Sequence, residues 1–386
     1  MHNSKIKLGE IVKMDSGYAF KSTYFNNEIG IPVIRIRDVN SGVSETLYSG
    51  DYQEKYIVNN GDILITMDGE FNIREWMGGK ALLNQRVCRI KGNNELILDR
   101  YLLYVMPAIL KKIEAKTPFA TVKHLSIKDL ANIELSLPTL DTQKKIVQIL
   151  DQAKSLLTKR KAQIEALDQL TQSVFLEMFG DPVINNKGWN KEKLSLTGEL
   201  KRGMSKHRPR NAPELLGGPY PLIQTGDVSK SGLYIKDYTQ TYSELGLKQS
   251  KMWPEGTLCI TIAANIARTG ILTFDACFPD SVVAYLPGSN MSNIYVHYWF
   301  SFLQRIIESN APESAQKNIN LKILSDLEIP IPPQEEQRRF EKIVLNIEKQ
   351  RELFEIGLSE LQNNFNSIIQ RAFKGELFTE EKLPTA

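Results

Sequence analysis

One long helical stretch constrains this chain of 386 residues more than any other feature. Residues 141–179 contain no proline or glycine, and apolar residues recur along them at intervals of three and four. This spacing predicts one continuous amphipathic helix. At ~1.5 Å per residue such a helix would extend ~58 Å, which exceeds an ordinary domain core, so it needs a partner along its length. Its apolar face is formed by Ile146, Ile149, Leu150, Ala153, Leu156, Leu157, Ile164, Leu167, Leu170 and Val174.

A second copy of this stretch, residues 335–373, lies 194 residues further along the chain. Two helices of equal length, each with one apolar face, are natural partners, and we predict that they pack antiparallel as a coiled coil. Arg160 interrupts the first apolar column, which we interpret as a layer that faces water or a partner. The second apolar face is formed by Phe340, Ile343, Val344, Ile347, Phe354, Leu358, Leu361, Phe365 and Ile368.

The repeat extends beyond the two helices. Chance similarity of apolar patterns is the alternative explanation, but tyrosines, prolines and glycines coincide as well, which favours a tandem duplication. Further upstream the offset is smaller, and IPVIRIRDVNSG (31–42) resembles YPLIQTGDVSKSG (220–232). Matching pairs are Leu8 and Leu194, Gly17 and Gly203, Tyr101 and Tyr295, Tyr104 and Tyr298, Pro118 and Pro312, Lys123 and Lys317, Pro138 and Pro332, and Phe179 and Phe373.

Each half presents the same order of parts: strand-like runs, a short helix (99–115 or 292–309), a proline-containing segment and the long helix. The predicted fold class is α+β, with two pseudo-repeated α/β globular domains joined by two long antiparallel helices that form a coiled coil. The predicted boundaries are 1–140 for the first globular domain, 141–180 for the first long helix, 181–334 for the second globular domain, and 335–386 for the second long helix and C-terminal tail.

Composition sets limits on the compartment and on the partners. The net charge is only +3, so any contact with nucleic acid requires locally concentrated positive charge. The three cysteines are odd in number and far apart, which favours a reducing cytoplasm without a disulfide framework. No run reaches the ~20 apolar residues that a membrane span needs. We therefore expect a soluble cytoplasmic protein.

The sequence contains none of the common catalytic signatures. GxGxxG, GxxxxGK[ST], CxxC and HExxH are all absent, and the four histidines are scattered. Asp68 and Glu70, in TMDGEFN, have the chemistry of a metal-binding carboxylate pair. The favoured interpretation is a polar turn after the strand GDILITM. No metal site and no catalytic residue are predicted.

Basic and amide side chains instead cluster in polar loops at matching places in the two halves. Lysine and arginine contact phosphates, and arginine, asparagine and glutamine form paired hydrogen bonds with guanine and adenine edges. Any one such loop is commonly just a solvated face, but recurrence in both halves favours a DNA-facing surface. The candidate DNA-binding residues are Tyr18, Lys21, Ser22, Arg35, Arg37, Asn84, Gln85, Arg86, Thr121, Lys123, His124, Lys201, Arg202, Lys206, Arg208, Arg210, Gln224, Thr225, Arg268, Gln316, Lys317 and Asn318.

Two variable halves, each ending in [LI]-P-x-x-x-x-Q before a long helix, resemble the specificity subunit of Type I restriction–modification enzymes. The strings GDILITMDGEFN, LLNQRV, SGYAF and RGMSK are similar to parts of that family's target recognition domains. The resemblance covers nearly the whole chain and implies a non-catalytic reader of double-stranded DNA. Each globular domain would be a target recognition domain for one half of a split site, and the helices would set the gap.

The same resemblance implies partners and cofactors. Two methyltransferase subunits would dock on the helices, and two motor–nuclease (restriction) subunits would join for restriction. This chain would bind no cofactor, with S-adenosylmethionine, ATP and Mg expected on the partner subunits.

Two readings of another class remain open. The chain could be a fused sequence-specific DNA methyltransferase and endonuclease fragment, or a nuclease. The missing glycine loop for S-adenosylmethionine and the missing [ND]-P-P-[FYW] string count against the methyltransferase. It could also be a coiled-coil scaffold without nucleic acid, which would leave the doubled basic loops unexplained.

Overall fold

The computed structural model describes residues 5–116, 123–263, 266–310 and 320–378. The chain forms two compact units, and the boundary between them falls within both long helices. Unit 1 comprises Met1–Arg160 and Gly357–Ala386, and unit 2 comprises Lys161–Ile356.

Unit 1 consists of short strands and helices, the first half of one long helix and the last part of the other. Its elements are β1 (Lys5–Lys7), α1 (Leu8–Ile11), β2 (Val12–Ser16), β3 (Phe25–Asn26), β4 (Ile31–Ile34), α2 (Ile36–Ser41), β5 (Leu47–Tyr48), β6 (Ile57–Val58), β7 (Ile63–Thr66), β8 (Ile73–Glu75), β9 (Ala81–Leu83), β10 (Val87–Gly92), α3 (Asp99–Lys116), α4 (Ile127–Ala131), β11 (Glu134–Ser136) and α5 (Leu140–Phe179).

The strands of unit 1 form two main sheets and one two-stranded ribbon. One sheet has the order β2-β10-β7-β8, the other has the order β3-β5-β4-β9-β6, and β1 pairs with β11. Most pairs are antiparallel, but β4 and β9 run parallel, with Val33 opposite Leu82. The apolar strands β7 and β9 are buried along their whole length, and this is why the predicted strand GDILITM is confirmed as a central strand.

Unit 2 repeats this plan. Its sheets have the orders β13-β21-β18-β19-β15 and β16-β14-β20-β17, and β12 pairs with β22. Its elements are β12 (Lys191–Lys193), α6 (Leu194–Thr197), β13 (Gly198–Arg202), β14 (Leu216–Leu222), α7 (Thr225–Lys230), β15 (Tyr234–Ile235), β16 (Gln240–Tyr242), α8 (Glu244–Lys248), β17 (Met252–Trp253), β18 (Leu258–Thr261), β19 (Thr269–Leu272), β20 (Ala276–Cys277), β21 (Val282–Pro287), α9 (Asn293–Asn310), α10 (Leu321–Asp326), β22 (Glu328–Pro330) and α11 (Gln334–Lys374).

Backbone hydrogen bonds confirm that the two units are copies of one design. The amide of Leu8 donates to Ile133 at 2.8 Å, and the amide of Leu194 donates to Leu327 at the same distance. Tyr101 and Tyr295, a pair matched by sequence, are both buried. The pair Pro118 and Pro312 lies outside the described residues.

Each unit encloses one end of each long helix in its core. In unit 1, Ile146 and Leu150 of α5 lie in a core against which Phe365 and Phe373 of α11 pack. In unit 2, Phe175 and Phe179 of α5 lie with Phe340 and Val344 of α11. Because the start of one helix meets the end of the other within each unit, the predicted antiparallel pairing is confirmed.

Two residues assigned to the apolar face of α5 are not on the buried side. Leu156 is 52% exposed and Leu170 is 48% exposed. The helix has 3.6 residues per turn, so a stripe extended by three- and four-residue steps over ten turns drifts around the axis. Leu157, one position further, is the buried residue of that layer.

Arg160, which the sequence suggested marks a layer facing water or a partner, is half-buried. It faces Gly357 of α11 within unit 1, and a Cβ added at that glycine would lie 2.3 Å from Arg160 Nη1. The missing side chain of Gly357 therefore provides the space for the guanidinium. In unit 2, Arg351 donates to Asp168 Oδ1 at 2.5 Å and to Glu348 Oε1 at 3.1 Å.

The glutamine of each L/I-P-x-x-x-x-Q segment is a buried connector. Gln143 Nε2 donates to the carbonyls of Leu96 (2.9 Å) and Pro138 (3.0 Å), and Oε1 accepts from the amide of Leu98 (3.0 Å). Gln337 forms the equivalent three bonds in unit 2, with the carbonyls of Asn290 and Pro332 and the amide of Ser292. Each glutamine thus ties the first turn of a long helix to the segment that enters α3 in unit 1 or α9 in unit 2.

The three cysteines are free and buried, and burial raises the pKa of the Cys88 thiol to about 12. Among the described residues, every helix is too short or too polar to cross a lipid bilayer.

Candidate nucleic-acid interface

Unit 1 carries an open cleft of about 690 Å³, which we call cleft 1. Three structural parts supply its walls: the start of α2, the turn after β7 and the turn between β9 and β10. Four of its side chains are arginine or asparagine residues predicted from sequence to contact DNA. The lining residues are Arg35, Ile36, Arg37, Asn40, Asp68, Gly69, Glu70, Asn84 and Arg86.

A close backbone approach holds one wall of cleft 1. The amide of Tyr18 donates to Leu83 at 2.9 Å and its carbonyl accepts from Gln85 at 2.9 Å. A Cβ added at Gly17 would lie 2.0 Å from the carbonyl oxygen of Asn84, so only glycine fits there. The glycine of SGYAF therefore brings that loop against LLNQRV, and Tyr18 stays 46% exposed beside it.

Asp68 organises the turn after β7 in cleft 1. Its carboxylate is largely buried and pairs with Arg86 Nη1 at 2.7 Å and with His124 Nδ1 at 2.5 Å. Arg86 itself remains half exposed. The TMDGEFN segment is thus a polar turn, in which a fixed carboxylate orients two side chains that the sequence predicted to contact DNA. Among the residues that the structure describes, no cluster of three metal-ligating side chains is found.

Unit 2 has an open cleft of about 300 Å³ at the corresponding place, which we call cleft 2. The same backbone approach forms it: a Cβ added at Gly203 would lie 2.3 Å from the carbonyl oxygen of Pro279. The hydroxyl of buried Ser205 has no hydrogen-bond partner within the described part of the chain. The lining residues are Ser205, Arg210, Asn211, Gln224, Thr239, Gln240, Tyr242 and Pro279.

The basic loop KRGMSKHRPR folds around Asp280. Arg210 forms an ion pair with the Asp280 carboxylate, and Arg208 Nη2 lies 3.8 Å from it. Arg202 Nε donates to the Asp280 carbonyl at 2.5 Å. The guanidinium of Arg208 also donates to the carbonyl of Ser205 at 2.6 Å. These arginines therefore serve partly to shape the loop, and Lys206 extends from it exposed to solvent.

The other candidates have more varied surroundings. Lys21, Ser22 and Gln85 are exposed in unit 1. Lys123 Nζ lies 3.4 Å from Glu114 Oε1 and is three-quarters buried. In unit 2, Lys201 pairs with Glu199, Thr225 is half-buried, and Arg268 is exposed between β18 and β19, outside the lining of cleft 2. Thr121, Gln316, Lys317 and Asn318 lie outside the described residues.

Several cleft residues were not predicted from sequence. Asn40, Asn211, Thr239 and Gln240 line the clefts, and Asp280 holds two arginines. Gln240 lies opposite Leu222 in the β14–β16 pair, so a register prediction for that hairpin would have placed it near Gln224. Asp280 occupies the position of Gln85 when the turn after β20 is matched to the turn after β9. Nothing in the sequence indicates that its carboxylate pairs with arginines of the basic loop.

Comparison with known proteins decides the family. A family model described as the Type I restriction modification DNA specificity domain matches residues 2–166 and again residues 186–362. The chain belongs to this family. The predicted resemblance and the predicted role in DNA specificity are therefore confirmed, with one domain copy in each half.

Relatives of this DNA specificity family match over most of the chain. The EcoBI specificity subunit of a Type I restriction enzyme from Escherichia coli is 29% identical, over 98% of this chain and 87% of that protein. The putative MjaX specificity subunit from Methanocaldococcus jannaschii is 22% identical, over 82% of this chain and 80% of that protein.

Solved structures show the same fold. The S subunit of a Type I restriction–modification system from M. genitalium matches with a TM-score of 0.55 at 16% identity, over 96% of both chains. A chain from a structural study of complex assembly and conformational transition in a type I R-M system matches with a TM-score of 0.63 at 18% identity. That match covers 97% of this chain and 98% of the other.

Proposed function

We propose that this specificity subunit reads a bipartite DNA site, with one half-site bound at cleft 1 and the other at cleft 2. The observation that carries the proposal is that each unit has a polar cleft beside the same two structural positions, Arg35 and Asn84 in unit 1 and Gln224 and Pro279 in unit 2. Arginine, asparagine and glutamine line these clefts, and these side chains discriminate base edges in the major groove.

The charge distribution supports double-stranded DNA as the ligand. A net charge of +3 gives little general attraction, but Arg37 lines cleft 1, Lys206 follows Ser205 of cleft 2, and Lys21 is an exposed cation three residues after Tyr18. Such cations contact phosphates and fix the position of a protein on the duplex, whereas the other polar side chains of the clefts would read bases. Separate positioning and reading groups are what a sequence-specific DNA protein requires.

Partner subunits would perform the chemistry. Exposed leucines on the long helices, among them Leu156, Leu170 and Leu353, provide apolar surface for docking. We propose that two methyltransferase subunits bind there and that two motor–nuclease subunits join them. This chain would be non-catalytic and would bind no cofactor, with S-adenosylmethionine, ATP and Mg held by the partners.

Methylation separates this function from a fused enzyme. We expect the purified chain to methylate no DNA, and the chain co-expressed with its methyltransferase partner to methylate adenines in one bipartite sequence. Mapping methylated adenines across a host genome measures both. Methylation by the chain alone would support the fused methyltransferase instead.

The salt dependence of DNA binding distinguishes the proposed DNA-reading function from that of a coiled-coil scaffold. The logarithm of the DNA-binding constant of the assembled complex should fall linearly with the logarithm of salt concentration, because each phosphate contact releases counterions. Replacing Lys21 and Lys206 with alanine should reduce that slope by about 2, close to one for each phosphate contact. Lys187, an exposed lysine outside both clefts, provides the matched control. An unchanged slope in the double variant would remove these lysines from the interface.

A further inference from the structure

Arg35 and Gln224 occupy the same backbone position in the two units. Val33 pairs in parallel with Leu82 in unit 1, and Leu222 pairs in parallel with Cys277 in unit 2. Arg35 lies two residues after Val33, and Gln224 lies two residues after Leu222.

The following aspartate confirms this equivalence. The amide of Arg35 donates to Asp38 Oδ2 at 2.9 Å, and the amide of Gln224 donates to Asp227 Oδ2 at 2.8 Å. Each residue also lines the cleft of its own unit. One structural position therefore presents an arginine in unit 1 and a glutamine in unit 2.

An equivalent neighbour holds each of these side chains. The amide of Val33 donates to the carbonyl of Thr46, and Leu222 lies opposite Gln240. Arg35 Nη2 donates to Thr46 Oγ1, and Gln224 Nε2 donates to Gln240 Oε1 at 3.1 Å. Both side chains are half-buried, so their direction is set by the protein before any ligand binds.

The hydrogen-bonding groups left over differ in kind. Arg35 has five N–H groups; one on Nε faces Asp38 at 3.5 Å and one on Nη2 reaches Thr46. Within the described part of the chain, the remaining hydrogen-bonding groups of Arg35 are all donors. They include at least one N–H on Nη1 and one on Nη2. Gln224 has one remaining amide N–H and its carbonyl oxygen, which is one donor beside one acceptor.

We propose that residues 35 and 224 are the equivalent base-reading positions of the two half-sites, with Arg35 reading guanine and Gln224 reading adenine. In the major groove guanine presents two acceptors, N7 and O6, which match two arginine donors. Adenine presents the N7 acceptor beside the N6 donor, which matches the free edge of Gln224. This assignment rests on the proposed function, since it names the bases that the two clefts discriminate.

Arg37 provides the matched control for charge. It lines cleft 1 beside Arg35, its side chain is 72% exposed, and Gly226 stands at its position in unit 2. Arg37→Gln removes the same positive charge as Arg35→Gln. It should weaken binding to all sequences to a similar extent, because a phosphate contact carries no base preference.

The test uses the chain co-expressed with its methyltransferase partner and maps methylated adenines for each variant. Arg35→Gln should lower the preference for guanine at one base pair of one half-site by roughly 5- to 100-fold and raise the preference for adenine there. Gln224→Arg should produce the converse change, from adenine to guanine, in the other half-site. Arg37→Gln should leave the preferred sequence unchanged.

Milder variants test the same positions if the exchanges impair assembly. Arg35→Lys keeps the charge but lacks the two-pronged donor, so the guanine preference should fall without a new base being selected. Gln224→Glu offers acceptors only and should shift the preference from adenine toward cytosine, whose N4 is a donor.

The outcomes distinguish this inference from the proposed function. Active variant complexes that keep the parental preference at every base pair would overturn the assignment of residues 35 and 224, while the bipartite site would stand. Changes from both variants in the same half-site would also overturn it. A parental complex that methylates no bipartite sequence would instead overturn the proposed function.

Discussion

The two buried glutamines offer a matched pair of stability experiments. Gln143→Met keeps the length of the side chain and removes all three of its hydrogen bonds, to Leu96, Leu98 and Pro138. A typical net hydrogen bond contributes about 1 kcal/mol, so unit 1 should lose about 3 kcal/mol of unfolding free energy. Gln337→Met removes the equivalent three bonds and should lower the stability of unit 2 by a similar amount.

Tryptophan fluorescence and hydrogen exchange report the two units separately. Trp76 lies in unit 1, while Trp189, Trp253 and Trp299 lie in unit 2, so fluorescence during urea denaturation follows unit 2 mainly. Amide exchange read on peptides from each unit gives the second measurement. Gln143→Met should speed exchange at the start of α3, and Gln337→Met should lower the urea midpoint of the fluorescence transition.

Substitution by glutamate sharpens the test. Gln143→Glu can still accept from Leu98, but at neutral pH it has no N–H for the two carbonyls and buries a charge. It should therefore destabilise unit 1 more than Gln143→Met. If both methionine variants lie within about 0.5 kcal/mol of the parent, the hydrogen bonds do not hold the helices, and the reasoning fails.

Two further outcomes follow from other parts of the molecule. Burial lowers the pKa of His297 to about 4, so the unfolded chain binds more protons than folded unit 2 between pH 6.5 and about 4. Its contribution to the stability of unit 2, up to about 3 kcal/mol, is present above pH 6.5 and is lost as pH falls through that window. His297→Gln should therefore narrow the difference between the urea midpoints at neutral and acid pH. An unchanged difference would refute this. Deleting residues 154–160 and 348–354 together removes nearly two turns, or ~10 Å, from each helix and should shorten the gap in the methylated site by ~3 base pairs. A folded, active deletion protein with the original gap would contradict that expectation.

The sequence predicted the large features because they depend on repetition. Apolar spacing located α5 and α11 within one residue at each start, and the constant offset revealed the duplicated plan. Two-residue strands such as β5 and β6 carry too few residues to show a period of two, so they were not predicted.

The sequence predicted which loops carry cleft residues, but it did not predict how those loops come together to form the clefts. Asn84, Arg86 and Gln224 were named from residue type and recurrence, and the structure brings them to the cleft walls. Thr46 and Gln240 were missed because their roles depend on strand register. Each lies opposite the residue three positions before α2 or α7. The contact of Arg160 with Gly357 joins residues far apart in sequence, so only the folded chain reveals it.

The two arginine layers have a consequence for how the long helices choose their alignment. Apolar faces that repeat nearly every seven residues pack almost equally well after one helix slides by seven, so hydrophobic contact alone leaves several alignments close in energy. Arg351 donates across to Asp168 of the other helix, and the guanidinium of Arg160 occupies the space beside Gly357. A slide by seven residues would separate Arg351 from Asp168, and it would place the side chain of Gln350 or Asn364 where Gly357 now leaves space for Arg160. These two polar layers thus select one alignment of the helices. A chain with leucine at positions 160 and 351 would gain apolar contact but lose its single defined alignment.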